Sequence, residues 1–160
     1  MIRFAVLDKE EKSLWLPRLF DLCYENMIEI APGELSYELE KQQWMGQVSP
    51  ALEKEPRQII LCFADDVLAG YVQYYTNKKL LMIEEVQMTK ECQQTTLFYS
   101  ICKHLSKALP EGLEIIEAFA EKQNLRSQKL MQRLGMAQIE EDERFIHLRG
   151  SLQNIKEFLK

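Results

Sequence analysis

Residues 113–136 read LEIIEAFAEKQNLRSQKLMQRLGM, an apolar run that passes through one polar residue into an amphipathic segment. Ile115, Ile116, Ala118 and Phe119 within 113–119 suit a strand covered on both faces. From Asn124 the period changes. Leu125, Leu130, Met131 and Leu134 recur at helical spacing, leaving Arg126, Gln128, Lys129, Gln132 and Arg133 towards water. Gly135 stands where a left-handed residue ends a helix.

Working back from this unit, 95–109 is expected to be a helix with Leu97, Ile101, Leu105 and Ala108 on one side, ended by Pro110 and Gly112. Residues 80–89 form a strand before it. Strand 80–89, helix and strand 113–119 then make a parallel crossover, expected to be right-handed. Residues 58–64 and 67–75 are strands joined by an Asp65-Asp66 turn, a hairpin. The N-terminal part starts with a strand at 1–7. Asp8 and Glu11 make a capping-box-like start to a helix whose stripe is Leu16, Phe20, Cys23, Met27 and Ile30, stopped by Pro32-Gly33. A second helix covers 35–47, and Ser49-Pro50 reads as the cap of a short third one. Beyond 136 come strands at 137–140 and 144–148 and an amphipathic helix from Ser151. The fold class is α+β, with a mixed, mostly antiparallel sheet of six or seven strands flanked by helices. Residues 1–160 read as a single domain, 1–150 being its core and 151–160 an extra C-terminal helix.

Composition is that of an ordinary globular chain: 160 residues, 46% apolar, 28% charged. No apolar stretch approaches the roughly 18 residues that a membrane helix requires, so no membrane partner is expected. The opening MIRFAVLDKEEK has too short an apolar run for a secretory signal. Cys23, Cys62, Cys92 and Cys102 form no C-x-x-C pair, which reads as reduced thiols in a cytoplasmic protein. A net charge of −5 argues against nucleic acid as a partner. Two histidines, His104 and His147, without Cys or carboxylate at ligand spacing, argue against a metal site.

The segment Asn124-x-x-Ser127-x-x-Leu130-Met131-x-x-Leu134-Gly135-Met136 resembles the motif N-x-x-A-x-x-L-Y-x-x-x-G-F of the GNAT family of acyl-CoA-dependent N-acetyltransferases. Ile83-Glu84-Glu85-Val86-Gln87-Met88 looks like that family's fourth strand, where an acidic pair precedes an apolar-x-apolar triplet. The element order agrees over nearly the whole chain except the final helix. The resemblance implies that strands four and five splay apart, usually at a bulge, leaving peptide groups unpaired. The pantetheine arm of acetyl-CoA, or another acyl-CoA, then fills the gap like an added strand. It implies cofactor contacts from the backbones of Val86 and Met88 around Gln87, and from the side chain of Asn124, with Ser127 in the same motif. An N–H at Val86 or Met88 would also stabilise the oxyanion formed when an amine attacks the thioester. No metal is implied. The partner is a small-molecule or peptide amine, and a homodimer is left open.

Two departures stand out. The family holds the cofactor's pyrophosphate with Q/R-x-x-G-x-G/A opening the helix after strand four, where free N–H groups and partial positive charge meet phosphate. Here the loop is Gln93-Gln94-Thr95-Thr96-Leu97-Phe98. Gln93 fits, and threonine hydroxyls either donate to phosphate or cap the helix. Phe98 either blocks the pocket or turns inward with Ile101 and Leu105. Met131 replaces the tyrosine that many members use to protonate the leaving thiolate, and methionine has no proton to give.

A carboxylate from Glu84 or Glu85, among Met82, Val86 and Met88, suits a general base for an ammonium substrate. The function expected is transfer of an acetyl group to an amine by direct attack. The alternative is a catalytically degenerate GNAT-fold binding protein, with a relative that uses an aminoacyl or carrier-protein thioester as a third reading.

Overall fold

A computed structural model describes residues 1–54, 56–93 and 96–160. The elements in chain order are β1 (Ile2–Val6), α1 (Lys12–Ile30), α2 (Tyr37–Leu52), β2 (Gln58–Ala64), β3 (Val67–Asn77), β4 (Leu80–Met88), α3 (Leu97–Ala108), β5 (Ile115–Glu121), α4 (Leu125–Arg133), β6 (Ala137–Glu141), β7 (Phe145–Ser151) and α5 (Leu152–Phe158). Short 3-10 turns at Lys9–Glu11 and Lys90–Cys92 precede α1 and α3. Among the described residues the strands form one seven-stranded sheet in the order β1-β2-β3-β4-β5-β7-β6. Only β4 and β5 run parallel; the other pairs are antiparallel. The sheet is therefore mixed and mostly antiparallel, as the strand pattern implies.

Period-two alternation divides the apolar residues between two faces. Ile59, Leu61, Phe63 and Tyr71 pack with Leu16 and Leu19 of α1 and Leu52 of α2. Ile60, Cys62, Val72 and Leu81 pack with Ile101 and Leu105 of α3, Met131 of α4 and Ile155 of α5. The β2–β3 turn works because Asp65 and Asp66 both take positive φ, 50° and 66°, the backbone a tight hairpin demands. Gly135, at φ 93°, ends α4 in the left-handed region, and Met136 N–H closes back on the Met131 carbonyl at 3.1 Å.

Several local expectations are corrected. Ser49-Pro50 starts no separate helix; α2 runs from Tyr37 through both to Leu52, with Ser36 as its N-cap. Pro50 lies in the last turn, where its missing N–H removes one intrahelical bond and the helix ends two residues later. Asp8 caps the 3-10 turn rather than α1, accepting from the Glu10 N–H at 2.9 Å. The buried stripe of α1 is Leu16, Leu19, Phe20, Leu22 and Asn26, whereas Cys23 and Met27 border a groove. Leu125 lies exposed, while Arg126 and Gln128 are half-buried and bonded instead of facing water. Nor is β5 apolar on both faces. Glu117 is buried on Arg149, which donates from Nε at 2.9 Å and Nη2 at 2.6 Å, and Phe119 is 49% exposed.

Burial pushes the Cys62 thiol up to about 11, helped by nearby Cys92, and the Cys102 thiol up to about 12. Iodoacetamide at pH 8 should leave both unmodified in the folded protein and alkylate both in denaturant, which peptide mass mapping reads directly.

Candidate active site

The site is made by a ladder that stops early. β4 pairs with β5 from Leu80↔Ile115 to Ile83↔Ala118, whereas it runs beside β3 as far as Gly70↔Met88. Beyond Ile83 and Ala118 the two parallel strands part, so Glu84–Met88 meets no strand on that side among the described residues. The departure starts at a bulge. Gln73 pairs with Glu85 and Tyr74 with Ile83, leaving Glu84 as the extra residue that bends β4.

The direction of the freed groups follows from ladder alternation. Thr89 N–H donates to the Ala69 carbonyl at 2.9 Å, so Gln87 and Glu85 also exchange bonds with β3. Val86 and Met88 therefore turn their N–H and C=O towards β5, into the wedge. These are the two backbones that the sequence resemblance singles out. One of their groups is already satisfied: the Met88 carbonyl accepts from Asn26 Nδ2 at 2.8 Å and Gln93 Nε2 at 3.2 Å.

A groove of about 970 Å³ follows the wedge and continues between α1 and α2 on one side and the start of α4 on the other. Ile83–Gln87, Asn124, Ser127 and Met131 all line it, with Tyr24 and Trp44 on the helical wall. The two candidate bases separate sharply. Glu84 points to Arg57, whose Nη2 donates to it at 3.2 Å. Glu85 accepts from the Tyr71 hydroxyl and from Trp44 Nε1 at 3.3 Å, which turns its carboxylate towards the helical wall of the groove. Tyr71 is buried, and burial together with the Glu85 charge raises its pKa well above the ordinary tyrosine value, so its hydroxyl stays a donor. The Cys23 thiol is likewise raised far above its usual range, first by burial and then by Glu85.

Gln87 is oriented away from the wedge. Its Oε1 accepts from Asn26 at 3.0 Å, and its Nε2 approaches Cys23 Sγ at 3.5 Å. Gln93 donates to Asn26 Oδ1 at 3.1 Å and accepts from Arg126 Nη1 at 2.6 Å, tying the loop before α3 to the start of α4. Asn124 is the N-cap of α4: its Oδ1 accepts the Ser127 N–H at 3.1 Å while the side chain borders the groove.

The phosphate loop divides. Gln94 and Thr95 lie outside the described residues. Thr96 is exposed at the start of α3 and makes no side-chain cap bond. Leu97 and Phe98 are core residues, 3% and 8% exposed. Phe98 thus takes the inward alternative, packed with Ile101 and Leu105, and leaves the α3 N-terminus unobstructed by its ring. Met131 is buried with them. Sequence reasoning missed Asn26 and Arg126 as site-organising residues. Asn26 falls on the apolar stripe of α1 in a helical pattern, and a polar residue at a core position was the available signal.

No protein-family model matches the chain, and no curated protein matches it in sequence. Solved structures do. It is similar to an acetyltransferase from Thermus thermophilus, with a TM-score of 0.72 and 15% identity over 94% of this chain and 97% of that one. The PaiA N-acetyltransferase from Thermoplasma acidophilum, solved in complex with coenzyme A, gives 0.70 and 15% over 94% and 99%. An acetyltransferase assigned to the GNAT family from Desulfovibrio desulfuricans gives 0.71 and 13% over 95% and 99%. The chain has the GNAT acetyltransferase fold.

Phe98→Ala should destabilise the protein by about 3–5 kcal/mol, the cost of emptying a buried aromatic site. Thr96→Gly should stay within about 1 kcal/mol. Urea unfolding of the two variants side by side checks the contrast.

Proposed function

We propose that this chain is an acyl-CoA-dependent N-acetyltransferase acting on an amine. The observation that carries the proposal is the open wedge between β4 and β5 with the Val86 and Met88 peptide groups turned into it. The solved relative with coenzyme A bound supports the choice of ligand. Val86 and Met88 backbone, Asn124 and Ser127 would hold the pantetheine arm. Gln93, Arg126 and the residues from Gln94 to Thr96 would meet the phosphate end.

The chemistry is direct transfer. The amine nitrogen bonds to the thioester carbon, the C–S bond breaks, coenzyme A leaves as thiolate, and Glu85 takes the proton, directly or through water. Glu85 is preferred to Glu84 because Arg57 already pairs with the latter. An acyl-cysteine route is disfavoured, since the raised Cys23 pKa keeps that thiol protonated. Glu34 and Glu40 also border the acceptor side, which suits an amine that arrives as an ammonium ion.

One observation favours the degenerate alternative. The family's tyrosine is replaced by a buried Met131, so the leaving thiolate has no side-chain acid at that position. Robust turnover with any amine removes that alternative.

Coenzyme A at about a hundred times its Kd should stabilise the protein by about 2.7 kcal/mol, a rise in Tm of about 5–10 °C. An unmoved Tm at millimolar coenzyme A ends the proposal. Once an acceptor is found, Glu85→Gln should lower kcat/KM about 10²–10⁴-fold with coenzyme A binding intact, while Glu84→Gln should change it little.

A further inference from the structure

Behind the closed end of the wedge lies an apolar cavity of about 50 Å³ that the transfer of an acetyl group leaves unused. It sits on the opposite face of the sheet from Glu85, between the strands and the helices α3, α4 and α5. Ile83, Val86 and Met131 line both this cavity and the groove, so they form a shared wall. Ala118 lines it at the point where the β4–β5 ladder ends, and its small side chain leaves that point open. Cys102 of α3 also lines it.

We infer that the cavity is an acyl-chain pocket and that the donor is a short-chain acyl-CoA longer than acetyl-CoA. The inference rests on the proposed acyl transfer and deepens it. A planar thioester attacked from the Glu85 face directs its acyl substituent along the sheet, towards Ile83 and Ala118. A methyl group stops there. A longer chain passes the wall into the cavity, where an apolar lining leaves no partner for water. Packed interiors seldom keep voids larger than a water molecule, so a space of this size beside the reacting end of a ligand groove calls for an occupant. Its size sets the length. An apolar cavity of about 150 Å³ admits the six carbons of benzene, so about 50 Å³ admits about two carbons beyond acetyl, a butyryl group. Met131 is suited to the wall because an unbranched thioether can swing aside more readily than a tyrosine ring. The bond changes are those of the acetyl transfer: C–N forms, C–S breaks, and the proton leaves on Glu85.

Binding of coenzyme A, acetyl-CoA, propionyl-CoA, butyryl-CoA and octanoyl-CoA by isothermal titration tests this without knowing the amine. Affinity should rise about fourfold per added methylene, so about fifteenfold from acetyl to butyryl, and fall again at octanoyl. Cys102→Met, which fills the cavity from α3, should erase the gain for butyryl-CoA while acetyl-CoA binding holds. Acetyl-CoA binding as tightly as butyryl-CoA to the native chain overturns the pocket but leaves the acetyltransferase proposal standing. Absence of binding by every thioester and by coenzyme A overturns both. The native series decides even if the variant fails to fold.

Discussion

One unpaired residue governs this structure. Glu84 is the extra residue of β4 opposite β3, and the bend it imposes lets a parallel strand pair come apart while both strands remain tied on their outer edges. β3 holds β4 to its end, and β7 holds β5 from Ile115 to Glu121. The gap is therefore a rigid opening in a continuous sheet, with peptide groups facing inward at fixed positions. Pre-positioned donors of this sort need no rearrangement to meet a ligand's amides or a developing oxyanion.

The side chains around the opening are arranged by the same constraint. Past the bulge, alternation sends Glu85 and Gln87 towards α1 and α2, where Tyr71, Trp44 and Asn26 receive them. Val86 and Met88 face the other layer, beside Phe98 and Met131. A carboxylate and an apolar wall thus lie on opposite faces of one strand. In the proposed transfer the amine would approach from the first side and the acyl tail would extend towards the second, with the thioester carbon in the wedge between them.

Much of this was legible in the sequence. Helical spacing after Asn124, the Asp65-Asp66 hairpin and the strand–helix–strand order sufficed for the architecture, because each is a local consequence of period and turn chemistry. The splay itself was reached through resemblance, since no residue pattern states where a ladder will stop. The Glu84–Glu85 choice was out of reach for the same reason: a bulge displaces one residue out of alternation, and its position depends on the register with Gln73 and Tyr74 of the neighbouring strand. Phe98 needed coordinates because an aromatic at the first turn of a helix is compatible with either side. The α2 boundary differs at Pro50, because a proline after serine reads as a first-turn position whereas here it falls in the last turn. The Asn26–Gln87–Gln93–Arg126 chain joins residues from four parts of the sequence, and only the fold brings them together.

Among the described residues the two apolar cores form separate clusters on opposite faces of the sheet. Leu16, Leu19 and Leu52 belong to one, and Ile101, Leu105 and Ile155 to the other. Substitutions that share no neighbours combine nearly independently in their energetic effects. The α1–α2 layer can consequently accumulate change while the layer of α3, α4 and α5 keeps its packing. Such a partition makes the molecule evolvable on one side at a time, with the central strands as the common foundation.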